Sequence, residues 1–185
     1  MNETIYHSGE APVTRAYQLR LQVVDSFPNP DGTHTYVISR TERDSENESW
    51  ESAGRWSAIL TDRELTVREG NTPFVKLIFP LRKGLSWDGN RYNTLGADQF
   101  EVAEYDVPAV VGEYDFPFTL NVVQEKNDDV IVFYDERTET YARGVGLVRR
   151  VVKQLHYCTE DDCVGQQQVD NGIEYIQELI NYGEE

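Results

Sequence analysis

The sequence predicts an all-β fold, an antiparallel meander forming a curved sheet or half-barrel with room for one short helix. Three observations predict it. Apolar and polar residues alternate with period 2 over several short stretches, and Pro, Gly, Asn and Asp cluster between those stretches. A chain of 185 residues, 11% aromatic, is long enough for a core of its own and too rich in large apolar groups to stay disordered. Residues 1–16 read as a flexible N-terminal segment and residues 17–183 as a single β domain, with no internal repeat and no Pro/Gly/Ser linker to divide it.

Tyr17, Leu19, Leu21 and Val23 alternate with Gln18, Arg20 and Gln22, which gives a strand with one buried and one wet face. Pro28-Asn29-Pro30-Asp31-Gly32 then turns the chain, because Pro fixes φ and Gly accepts the positive φ of a tight turn, and residues 36–40 continue as strand. Residues 41–54, rich in Glu, Ser and Asn, read as a long exposed loop or a splayed hairpin tip. Trp56, Ala58 and Leu60 restart the alternation. Leu65 with Val67, and then residues 74–81, complete a three-strand meander across turns at residues 61–63 and 69–73.

Residues 100–105 and 118–125 are further strands, and the polar run Lys126-Asn127-Asp128-Asp129 is expected to turn the second of them into a strand over 130–136. Strand character persists over 140–148 and 151–157, with Gly144 and Gly146 marking a bend or bulge. In the last segment Ile173, Ile176 and Ile180 fit a helix behind an Asp170 cap. Asn171-Gly172 lies between residues 166–169 and the Tyr175-Ile176 run, however, and Asn-Gly is the strongest type I′ hairpin signal, so a terminal hairpin is preferred.

Asp and Glu number 33 against 17 Lys and Arg, a net charge of -16. A field of that sign repels the phosphate polyanion, so no nucleic-acid partner is expected, and no polybasic segment is present to hold an anionic membrane. A Ca²⁺ site or a cationic partner is permitted by this sign of charge and is not indicated by any motif. The longest apolar run, residues 130–134, is far below the ~18 residues of a membrane-spanning helix.

The chain lacks GxSxG, HExxH and the GxxxxGK[ST] phosphate loop, and Gly144-Val145-Gly146 has neither the third glycine nor the helix of a dinucleotide site. His7, His34 and His156 are far apart in sequence. His156 with Cys158 and Cys163 offers three zinc ligands and lacks a fourth, while Asp88-Gly89-Asn90 fails as a calcium loop because Tyr92 and Asn93 stand where an oxygen ligand and a glycine are needed. No catalytic residue, cofactor or metal is therefore assigned. Trp50, Trp56, Trp87 and Tyr92 are candidate ligand-stacking aromatics, with core packing or turn stapling as the alternative.

Cys158 and Cys163 enclose Thr-Glu-Asp-Asp, a polar loop flanked by strand-forming residues. Facing each other across such a hairpin, their Cα atoms would stand about 5.5 Å apart, which suits a disulfide. So short a closed loop stabilises by roughly 2 kcal/mol in the chain-entropy model, and the bridge implies an oxidising compartment. The alternative is a pair of reduced surface thiols in a cytosolic protein. Met1-Asn2-Glu3-Thr4 opens without a basic or an apolar signal region, so the expectation is either a cytosolic protein or a removed signal.

Phe79-Pro80-Leu81-Arg82-Lys83-Gly84-Leu85-Ser86-Trp87-Asp88-Gly89-Asn90 and Tyr141-Ala142-Arg143-Gly144-Val145-Gly146-Leu147-Val148 resemble the FPLxxGxxWxGN and YxxGVGLV segments of small exported β-rich lipoproteins of Bacteroidota. The likeness extends over residues 36–183 and takes in the Cys158 to Cys163 loop and the closing segment. It implies a periplasmic or outer-membrane location through a lipid-modified N-terminal cysteine. This sequence departs there, having no lipobox, so Met1 is read as replacing a removed signal and anchor.

The resulting expectation is a non-enzymatic exported cell-envelope domain that binds a protein, glycan or apolar ligand and touches the membrane only through a removed lipid anchor. The alternatives are a carbohydrate-active or other hydrolase with a carboxylate pair in the concave face, and a purely structural surface protein. A cytoplasmic location remains the alternative address.

Overall fold

A computed structural model describes residues 1–160 and 162–183. The fold is all-β, with two antiparallel sheets, neither closed into a barrel, and no helix among the described residues. The strands in order are β1 (Asn2–Tyr6), β2 (Val13–Ala16), β3 (Gln18–Pro28), β4 (His34–Arg43), β5 (Glu51–Leu60), β6 (Glu64–Glu69), β7 (Thr72–Ile78), β8 (Ser86–Asp88), β9 (Gln99–Val111), β10 (Tyr114–Asp129), β11 (Phe133–Ala142), β12 (Gly146–Tyr157) and β13 (Val169–Glu178). Where composition offered no linker, the chain divides into two compact units, Tyr17–Gln99 and Met1–Ala16 with the chain from Phe100 onward.

In the unit Tyr17–Gln99, β3 to β7 pair in sequence order as a meander. The turn after β3 is built as its residues dictate: Asp31 accepts hydrogen bonds from the Thr33 amide at 3.0 Å and hydroxyl at 2.7 Å, and Gly32 takes φ 85. Of the two forms expected for the polar stretch 41–54, the structure holds the hairpin tip and not the long loop. Thr41 pairs with Ser52 and Glu42 with Glu51, so both strands run far into it. Cross-strand pairing satisfies polar side chains as well as apolar ones, which lets the strands extend into this stretch.

In the other unit the strand order is β2-β1-β13-β12-β11-β10-β9. Residues 1–16, expected to be a flexible segment, form β1 and β2, and β1 pairs with β13 from Asn2↔Ile176 to Tyr6↔Gly172. A strand whose partner lies at the other end of the chain leaves little local signal. Phe100, Val102, Val122 and Val148 are fully buried, and Phe116 packs with Val111, Ala142, Tyr114 and Leu179. Each such side chain contributes roughly 1.5 to 3 kcal/mol of burial.

Two further expectations are corrected. The Asn171-Gly172 pair does not turn a hairpin, because β13 is one strand that runs straight through it. The register instead slips between His156 and Tyr157, leaving Asp170 as the extra residue of a bulge. The β10/β11 turn also falls elsewhere: the polar run 126–129 lies within β10, paired from Lys126↔Glu136 to Asp129↔Phe133, and the chain reverses on Val130, Ile131 and Val132.

Candidate functional site

β9 and β10 pair from Tyr114↔Val111 to Phe116↔Ala109 and resume at Thr119↔Val107. The register slips between those stretches, where Pro108 and Pro117 stand on the two strands. Proline carries no N–H, so neither strand can donate to the ladder there. The Val107 carbonyl is satisfied by a side chain instead, the buried Thr119 hydroxyl donating at 2.8 Å. Beside this gap opens a groove of about 480 Å³ lined by Pro108, Ala109, Val110, Asp115, Phe116 and Pro117.

The groove is apolar apart from Asp115 and rests on an ordered support. Phe116 sits 6.1 Å from the Tyr114 ring and 6.3 Å from the Tyr182 ring, and Tyr114 meets Tyr182 edge-on at 5.4 Å. Beyond Pro108, Asp106 is held at φ 62, its carboxylate paired with the Arg143 guanidinium, which lies 4.4 Å over the Phe118 ring. An open apolar recess with one exposed carboxylate at its edge suits reversible contact with an apolar molecule. Sequence reasoning missed this site by ending one strand at residue 105 and starting the next at 118. The overlooked signal was a proline inside each of two adjacent strand-like runs.

The four candidate aromatics do not converge. Trp50 stands between two guanidiniums, Arg20 at 4.7 Å and Arg43 at 4.4 Å from its ring, and Trp56 carries Arg40 at 4.3 Å. The bulge opposite Arg40 and Thr41 changes the parity of β5, so these two tryptophans, an even number of residues apart, lie on opposite faces of one sheet. Trp87 is buried and donates through Nε1 to the Val75 carbonyl at 2.8 Å, which makes it a core residue of its unit. Tyr92 is exposed. Instead of one stacking platform, the structure holds two arginine-capped indoles, a core indole and a loop phenol.

Cys158 and Cys163 are disulfide-bonded, with Cα atoms 5.8 Å apart. They do not face each other across a hairpin as expected. The ladder closes at Tyr157↔Val169, and Cys158 donates its amide to Gln168 at 2.7 Å, so the bridge lies inside the β12/β13 loop. No group of three or more His, Cys, Asp or Glu is placed to hold a metal ion among the described residues.

Carboxylates on β11 are held in polar networks. Glu139 is 1% exposed, accepts a hydrogen bond from the Tyr141 hydroxyl at 2.5 Å and pairs with Arg150 at 3.3 Å, while Asp135 pairs with Arg137 at 3.0 Å. On the same strand the Tyr134 hydroxyl donates to Glu136 at 2.7 Å, and this bond, with burial and the nearby Asp128 charge, pushes the Tyr134 phenol up to about 12. Comparison with protein-family models, curated proteins and solved structures yields no match.

Proposed function

We propose that this protein is a non-enzymatic β domain of the cell envelope that binds a small apolar ligand in the groove between β9 and β10. The observation that carries the reading is the groove itself: paired prolines open the ladder, and Val110, 71% exposed, stands at its mouth. An apolar ligand seated there gains about 25 cal/mol for each Å² of apolar surface removed from water. The envelope address is supported by the Cys158 to Cys163 bridge, which favours an oxidising compartment, and by the resemblance of residues 79–90 and 141–148 to exported lipoproteins of Bacteroidota.

A glycan ligand draws no support from Trp50, Trp56, Trp87 and Tyr92, which share no face. The test is a titration of the disulfide-intact protein with an environment-sensitive apolar dye. Saturable binding is expected, weakened at least about tenfold by Val110→Asp, a change of about 1.4 kcal/mol, with the far-ultraviolet spectrum unchanged. Binding that Val110→Asp leaves intact, or no saturable binding at all, overturns the reading.

A further inference from the structure

Asp115 is the charged residue in the lining of the β9/β10 groove, and it stands directly opposite Val110 in the ladder. Directly opposed side chains share one face of a sheet, with Cβ atoms about 4.5 to 5.5 Å apart. A carboxylate is thereby held beside Val110, the aliphatic group that is 71% exposed at the groove mouth. Asp115 is itself exposed, and its carboxylate takes part in no hydrogen bond or ion pair among the described residues.

The cations around this hairpin are engaged elsewhere. Residues 99–125 carry Glu101, Glu104, Asp106, Glu113, Asp115 and Glu125, and no Lys or Arg. Lys126, farther along β10, pairs across the ladder with Glu136. On β11 and just after it, Arg137 is paired with Asp135 and Arg143 with Asp106, the latter guanidinium lying over the Phe118 ring on the far side of the prolines. On β12, Arg149 is paired with Glu178 and Arg150 with Glu139, and the amino terminus also feels the Glu178 charge. The charge at the groove mouth is therefore negative and unshared, which complements a cation and opposes an anion.

We propose that the groove selects amphiphiles with a cationic head, an alkylammonium whose tail lies along Pro108, Ala109 and Pro117 and whose head meets Asp115. This rests on the reading of the groove as an apolar binding site and adds the sign of the ligand's charge. The volume of about 480 Å³ falls within the roughly 300 to 1,000 Å³ of small-molecule sites, so one such molecule fills it. An exposed ion pair adds only about two- to fivefold in affinity. The tail thus supplies most of the binding and Asp115 the choice of head.

The test is calorimetric titration of the disulfide-intact full chain at neutral pH with octylammonium, octanol and octyl sulfate, each below its aggregation threshold. Octylammonium should bind about two- to fivefold more tightly than octanol, and octyl sulfate least tightly. The preference should vanish as salt shortens the screening length from about 10 Å towards 3 Å. Asp115→Asn should abolish it and leave octanol affinity unchanged, which also reports an intact fold. Asp62→Asn removes the same charge from an exposed position in the Tyr17–Gln99 unit and should leave the preference in place, separating a local carboxylate from the field of the whole chain. Octanol binding with no preference for octylammonium, a preference that survives Asp115→Asn, or tighter binding of octyl sulfate overturns the proposal while the apolar groove stands. Failure of all three ligands to saturate overturns both.

Discussion

At the scale of single residues, Gly172 is the position where the backbone leaves least choice. It sits in the middle of β13 at φ 145, and a Cβ built there would fall on the Gln154 carbonyl oxygen and 2.8 Å from the Leu155 Cα, atoms of a rigid neighbouring strand. Gly172→Ala is expected to destabilise by about 2 kcal/mol or more, read as a fall in the urea midpoint. Asp170, the bulged residue beside it, accepts from Ser8 at 2.6 Å and from Asn171, and these bonds hold its carboxyl below the usual range. Asn-Gly is thus present for a strand bulge and a close strand approach, a use that the same two letters cannot distinguish from a turn.

Tyr134 provides a prediction with a definite sign. Its folded pKa, about 12, lies above the ordinary value of 10.0 because its protonated hydroxyl donates to Glu136. The native state therefore keeps this proton after the unfolded chain has lost it, so the associated stability is fully present below pH 10 and is lost as pH rises through 12. Burial also pushes the Tyr6 and Tyr157 phenols up, so an ultraviolet titration of tyrosinate should show several late-ionising phenols, of which Tyr134→Phe removes one.

At the scale of elements, β3 to β7 were legible because their partners are adjacent in sequence and their turns carry the expected residues, as at Asp31-Gly32-Thr33. What local rules missed depends on distant partners. β1 is specified by β13, and the β10/β11 turn is displaced onto valine and isoleucine because β11 must also match β12, from Tyr141↔Leu147 to Phe133↔His156. A one-residue slip would send every side chain to the wrong face, so register outweighs turn preference. The disulfide was legible as a pairing, but its place in the loop was not. Since it closes only a short loop, reduction is expected to cost about 2 kcal/mol and to lower the melting temperature by several degrees, measured by thermal scans with and without reductant.

At the scale of the whole molecule, the alternation and the turn residues settled the fold class, while the candidate site stayed hidden. The groove depends on two prolines that approach only when β9 and β10 pair, and no period or spacing along the chain announces that. The functional account accordingly rests on a surface feature, an apolar recess in an acidic β protein. Amide chemical-shift mapping during titration of the disulfide-intact chain with a short-chain fatty alcohol tests it most directly. The account predicts saturable shifts concentrated at Ala109, Val110, Asp115 and Phe116. Saturable shifts confined to other parts of the chain, or none that saturate, would contradict it.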